Sequence, residues 1–130
     1  MASLVRAACL TNYDEVARAS GLNSTRMLLD AGFSPGVLED PDLMIPVDKV
    51  GRLLQASAIQ SGNESFGLCM ARSRLLSNMG PVGLLIRDQE TLRDSLNLLV
   101  RYLALLNGAM TLEVDEQADT VLIRELLLAG

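Results

Sequence analysis

Met79–Asn107 reads MGPVGLLIRDQETLRDSLNLLVRYLALLN, and the way this stretch folds decides the class of the chain. Its second half carries Leu92, Leu96, Leu99, Val100, Leu103 and Leu106 at spacings of three and four, which puts them on one stripe of a helix. Arg93, Asp94, Asn97 and Arg101 fall largely on the other side, where they stay hydrated. Leu98, Tyr102 and Leu105 widen the apolar face, as a helix covered on more than one side requires. Thr91 and Asp94 make a capping-box-like start that satisfies free backbone N–H groups. Asn107-Gly108 makes a stop in which glycine takes the left-handed conformation. The first half, Gly80 to Ile86, is shorter, with Pro81 suited to its first turn. Asp88-Gln89-Glu90 is a polar break, so the stretch predicts two consecutive helices with the rest of the chain arranged around them.

Beyond Gly108 the hydrophobic period changes from 3.6 to 2. Met110, Leu112 and Val114 alternate with Thr111, Glu113 and Asp115; Glu116 to Asp119 is a turn; Thr120–Leu127 is β-branched and apolar at its start. This predicts a β-hairpin. Two strands alone are marginal in water, so the hairpin must pack on the helices or pair with other strands. The apolar ending Glu125 to Gly130 carries no polar stop signal, and it reads as the end of a truncated chain.

Upstream, capping residues and glycines punctuate short helices. Ser3 opens Leu4–Leu10, Asn12 with Glu15 opens Tyr13–Ser20, and Ser24 opens Thr25–Ala31. Gly21 and Gly32 close the second and third of these. Ser34-Pro35-Gly36 is a turn, and Pro46 begins a helix through Gln60 with Val47, Val50, Leu53, Leu54 and Ala58 inward. Ser57 lies on that same face and weakens its stripe. Glu64–Leu75 is a further helix, with Phe66, Cys69, Met70 and Leu76 turned inward.

Composition agrees with a helix-rich domain. Hydrophobic residues make up 49% of 130, yet aromatics only 3%, so Leu, Val, Ile, Ala and Met build the core. The expectation is an α+β fold over residues 1–130, of about five to seven helices with a C-terminal antiparallel β-hairpin packed on them. Lys+Arg 11 against Asp+Glu 16 leaves a net charge of −5, which repels phosphate backbones and argues against nucleic-acid binding by this chain itself. Two cysteines, Cys9 and Cys69, do not make a disulfide framework. There is no apolar run near the ~20 residues of a membrane span, and Arg6 interrupts the short apolar N-terminus, which lacks a secretory signal. These features point to the cytoplasm and to no membrane partner.

Catalytic chemistry is poorly supplied. The chain has no histidine, the commonest general base and metal ligand, and no Cys pair, phosphate loop or nucleophile elbow. No enzyme activity, metal or cofactor is expected. Glu39, Asp40 and Asp42 lack EF-hand spacing and read as a solvated loop. Arg72, Arg74 and Arg87 flank the segment around Gly80, where they either meet an anionic ligand or form ordinary charged surface. Cys69, Met70, Met79 and Tyr102 either line an adaptable cavity or pack a core. The candidate ligand-binding residues are therefore Cys69, Met70, Met79, Arg87 and Tyr102. Val16–Gly32 has the glycine-at-the-turn look of a helix-turn-helix, but its second helix offers only Arg26 and Asp30, too little to read DNA.

Several segments carry a family likeness: Val16-Ala17-Arg18 through Gly21-Leu22; Arg26 through Ala31-Gly32; Leu38 through Leu43; Ile45-Pro46; Val50 through Leu54; Phe66-Gly67-Leu68; and Arg74 through Leu85, running on to Thr91-Leu92-Arg93. In their order and wording they resemble the N-terminal, arabinose-binding-like regulatory domain of AraC/XylS-type bacterial transcription regulators. The family label is not taken as a sign of arabinose here. The resemblance implies a sensory head that binds a small effector, self-associates, or both. It also implies a C-terminal helix-turn-helix DNA-binding domain that lies beyond this chain, and a sensory domain that itself normally continues past Gly130. The expected function is thus small-molecule sensing between the helical layer and the hairpin, with DNA contacted only through that C-terminal domain. The alternative is a dimerisation module, a homodimer formed without a ligand.

Overall fold

The computed structural model describes residues 3–127, so the last three residues of the apolar ending lie outside the description. Strand β1 (Leu4–Arg6) pairs antiparallel with β2 (Met44–Pro46), with Val5 opposite Ile45. A helix over Leu4–Leu10 is therefore not what forms: β1 runs into a 3-10 turn at Ala7–Leu10. The reason is tertiary. The strand alternates exposed Leu4 with buried Val5, and its pairing with β2 outweighs the weak helical preference of so short a segment.

The helices α1 (Tyr13–Ala19), α2 (Ser24–Asp30) and α3 (Val47–Ser61) follow the expected pattern. Gly21 and Gly32 close the first two with φ of 80° and 90°, a region that glycine enters without strain. Two caps differ from expectation. Asn23, not Ser24, caps α2 by accepting from the Arg26 N–H at 3.1 Å. Asn12 sits at φ 71° and its side chain donates to Ser73 Oγ at 2.6 Å instead of capping α1. The next helix, α4 (Phe66–Ala71), is shorter than the expected Glu64–Leu75 because the exposed polar run Arg72-Ser73-Arg74 leaves it nothing to bury. Leu76 is 46% exposed, so it does not turn inward.

The core is formed by these N-terminal elements. Tyr13, Ala17, Leu53 and Phe66 are wholly buried, joined by Leu10, Leu28 and Met70. The Tyr13 and Phe66 rings lie tilted at 5.7 Å between centroids, a favourable aromatic geometry. Ser57, which the helical pattern marks as a flaw, is also wholly buried. Its Oγ donates to the Leu53 carbonyl at 2.7 Å, so at the 2.8 Å contact with the Tyr13 hydroxyl the tyrosine is the donor. The polar residue on the apolar face thus completes the bonding of a buried phenol.

The second unit is α5 (Pro81–Arg87), α6 (Leu92–Leu106) and the hairpin β3 (Met110–Glu116) with β4 (Val121–Leu127). Thr91 caps α6 as expected, accepting from the Asp94 N–H at 3.1 Å. The hairpin register runs from Met110 opposite Leu127 to Glu116 opposite Val121, and β3 lies along α6, held at its far end by Arg93 and Glu116 at 2.7 Å. Among the described residues the chain thus has six α-helices and a C-terminal antiparallel hairpin, an α+β fold.

The expectation that Met79–Asn107 organises the chain needs correction. Within α6 only Leu103 is buried, while Leu92 and Leu105 are 75% and 64% exposed, and β4 is exposed throughout. The period of the leucines establishes a stripe; it does not establish that anything covers it. The end of α6 also differs. Asn107 is extended, bridging to Val5, and Gly108 N–H donates to the Leu4 carbonyl at 2.7 Å. The helix stops because the chain joins the edge of β1, without the left-handed glycine.

Candidate ligand-binding site

The two units meet at β1, and a cavity of about 240 Å³ opens there. Its apolar walls come from both sides of the junction: Val5 from β1, Leu103 and Leu106 from α6, Met110 from β3, with Leu75 and Met79 at one end. Polar groups converge on it from Arg6, Arg74, Asn78 and Asn107. An apolar enclosure with a few placed polar groups is the usual make-up of a small-molecule site.

Each polar group is held by identifiable local structure. Arg6 points from β1 with its side chain only 13% exposed; its Nη1 donates to the Asn78 carbonyl at 3.0 Å and its Nη2 to Asp42 Oδ1 at 2.5 Å. The Arg6 charge is therefore already answered by a carboxylate, which gives one member of the Glu39–Asp42 cluster a structural role. Gly80 makes room for this guanidinium: a Cβ there would stand 3.0 Å from Arg6 Nη2, and φ is 65°. Arg74 reaches across to the Cys9 carbonyl. Among the described residues Arg74 has no carboxylate within 4.0 Å. Asn78 and Asn107 each spend their side-chain oxygen on a backbone N–H, that of Leu75 at 2.9 Å and of Ala109 at 2.9 Å, which leaves their NH₂ ends as donors. The Cys9 thiol is pushed up to about 11 by burial, with the Arg74 charge pulling the other way, so it is a neutral wall group at pH 7.

Of the five candidate residues from the sequence, Met79 lines this cavity. The structure does not gather the others around it. Met70 lies in the N-terminal core, 2% exposed. Cys69 is half-buried on α4, its sulfur 3.5 Å from Asn63 Nδ2. Arg87 is exposed at the end of α5, 3.7 Å from Asp88. Tyr102 is half-buried on α6, under the Arg101 guanidinium at 5.8 Å. Arg6, Asn78, Asn107 and Met110 were not legible as a group, because nothing local in the sequence joins Arg6 to residues 72 or more positions away.

A larger hollow of about 410 Å³ shares Ala8 and Asn78 with the first and is rimmed by Thr11, Asn12, Asp14 and Glu15. Its main charged group is already satisfied. Ser24 Oγ donates to Asp14, Arg18 adds a second bond at 3.1 Å, and together they hold the Asp14 carboxyl below its usual range. The smaller cavity is the better site, because it combines an apolar floor with donors that have no partner among the described residues.

Comparison with known proteins bears on the family of the chain. The model of the arabinose-binding domain of AraC transcription regulators, N-terminal, matches residues 21–128. The chain is 32% identical over 115 residues to the HTH-type transcriptional regulator VirS of Mycobacterium tuberculosis, covering 88% of this chain and 34% of that protein. It is 26% identical over 110 residues to the uncharacterized HTH-type transcriptional regulator Mb1430 of Mycobacterium bovis, covering 84% of this chain and 32% of that one. The chain thus spans about a third of the length of these relatives. No described helix is long and apolar enough to cross a membrane. The family is one of transcription regulators, and the match covers most of the sequence: this chain belongs to the N-terminal arabinose-binding domains of AraC transcription regulators.

Proposed function

We propose that this chain is the effector-sensing head of a cytoplasmic transcription regulator whose DNA-reading helix-turn-helix elements lie outside the sequence described. The relatives are themselves named HTH-type transcriptional regulators and are about three times the length of the matched region. The observation that carries the reading is the cavity at the junction. Its walls belong to both units, which the Val5–Asn107 bridge and the Gly108 N–H bond to the Leu4 carbonyl join. A ligand touching both units has different affinities for different arrangements of them, and differential affinity is what shifts a conformational equilibrium. No bond-making chemistry is needed for that task. A thermal-shift screen of metabolites against the full-length protein tests it. At least one compound class should raise the melting temperature, and a silent screen would remove the support for sensing.

A second reading is favoured by a different observation. Leu92, Leu105, Ile123 and Leu127 are all more than half exposed, and the outer edge of β4 has no strand beside it among the described residues. An uncovered apolar face and an open strand edge suit a homodimer. Sedimentation velocity across a concentration series checks this. A monomer at the highest concentration would count against it.

A further inference from the structure

We propose that the junction cavity takes an amphipathic monocarboxylate of short to medium chain, its carboxylate on Arg74 and its alkyl tail against Met79, Leu103, Leu106 and Met110. The proposal deepens the sensing reading and rests on it. Three observations carry it.

The first is the sign of the polar lining. Every polar side chain on the cavity wall, Thr-free and acid-free, is a guanidinium, an amide or a neutral thiol. The amide oxygens of Asn78 and Asn107 are already occupied by backbone N–H groups, so both present NH₂ donors. A chain of net charge −5 has therefore assembled a wall of donors without a single carboxylate. A ligand that brings acceptors fits it, and an ammonium does not.

The second is the number of free charges. Arg6 is paired with Asp42, whereas among the described residues the Arg74 side chain donates only to a backbone carbonyl and keeps the rest of its donor fork for a ligand. One unanswered guanidinium matches one negative charge in a planar, bidentate geometry, the preferred geometry of arginine with a carboxylate. A phosphate dianion or a dicarboxylate would leave a charge uncompensated against leucine and methionine.

The third is shape and floor. The remaining wall is aliphatic and thioether, without an aromatic ring, so it offers a tail no stacking partner. At about 240 Å³ it lies below the ~300–1,000 Å³ usual for drug-sized ligands, which limits the tail to a short or medium chain. The two methionines give that surface the adaptability to fit a flexible chain.

Calorimetric titration of the full-length protein at pH 7 with three probes, octanoate, octan-1-ol and acetate, tests this. Octanoate should bind at least about tenfold more tightly than either of the others, since each lacks one half of the recognition. Arg74→Leu should weaken octanoate by about tenfold or more while leaving octan-1-ol unchanged, and Arg74→Lys should recover part of the loss. Arg72→Leu, an exposed charge off the cavity, should change neither. Circular dichroism of each variant verifies that the fold persists. Equal binding of octan-1-ol, indifference to Arg74→Leu, or no heat with octanoate overturns the proposal. If octanoate is silent while another compound in the metabolite screen stabilises the protein, the ligand class is wrong and sensing stands. If both are silent, both fall.

Discussion

At the scale of single residues, the most informative group is the Tyr13–Ser57 pair. Neither residue is exposed to water, and the phenol's bond depends on Ser57, whose own proton goes to the Leu53 carbonyl. Ser57→Ala removes the acceptor and strands the phenol, which should cost about 1–3 kcal/mol by urea unfolding. Adding Tyr13→Phe should cost little more, because it removes the stranded group; fully additive losses would contradict the assignment. Asp14 gives a pH test. Its folded pKa lies below the unfolded value because Ser24, then Arg18, bonds the charged form. The stabilisation it brings is therefore present above the unfolded carboxylate pKa and lost as pH falls through the folded one. Ser24→Ala should move the Asp14 titration upward, read from its carboxyl carbon by NMR, and should flatten the acid limb of the stability curve. Cys9 sits at the other end of the pH scale. Its alkylation should keep accelerating toward pH 11 and show no plateau near the ordinary thiol value of 9, as peptide mass spectrometry would record.

Elements test packing against propensity. Gly83 lies inside α5, where propensity alone favours alanine by up to ~1 kcal/mol. The neighbours say the opposite: a Cβ there would stand 2.0 Å from the Leu76 carbonyl oxygen. Gly83→Ala should destabilise by about 1–3 kcal/mol, and by more if the backbone of the 3-10 turn at Leu76–Met79 cannot yield. Gly51, inside α3 with open space around its Cβ position, is the control: Gly51→Ala should stabilise by up to ~1 kcal/mol. Denaturant midpoints of both variants check the pair, and equal signs would contradict it. These positions also mark how far the sequence could be read. Helix starts at Thr91 and Pro81, the stops at Gly21 and Gly32, and the two-residue period of the hairpin are local signals, and they are where expected. The strand at Leu4–Arg6 was not, because its identity depends on a partner 40 residues away, Met44–Pro46. The extended Asn107 has the same origin, since α6 stops where the chain joins the edge of β1, whereas the early end of α4 follows from the exposed polar run Arg72-Ser73-Arg74.

For the whole molecule, the distribution of burial reassigns the centre. The leucine-rich α6 has the strongest pattern in the sequence, yet the sealed core belongs to Tyr13, Leu53, Phe66 and their neighbours. A periodic stripe states which residues share a face, and only the three-dimensional neighbours state whether the face is covered. The candidate site was legible in the same partial way. Met79 and Arg74 were distinguishable as a soft and a cationic group near the Gly80 turn, while Arg6, Asn107 and Met110 join them only through the fold. The result is a sealed N-terminal half, an attached α5–α6–hairpin unit with much of its apolar surface uncovered, and a cavity between them. The measurement that tests this account most directly is methyl NMR of the methionines in the full-length protein, with and without the compound that stabilises it most. Met79 and Met110 line the junction cavity, whereas Met27 lies buried elsewhere in the N-terminal core. The account predicts that the Met79 and Met110 methyl signals move on saturation and the Met27 signal stays. A shift at Met27 with Met79 and Met110 unmoved would contradict it.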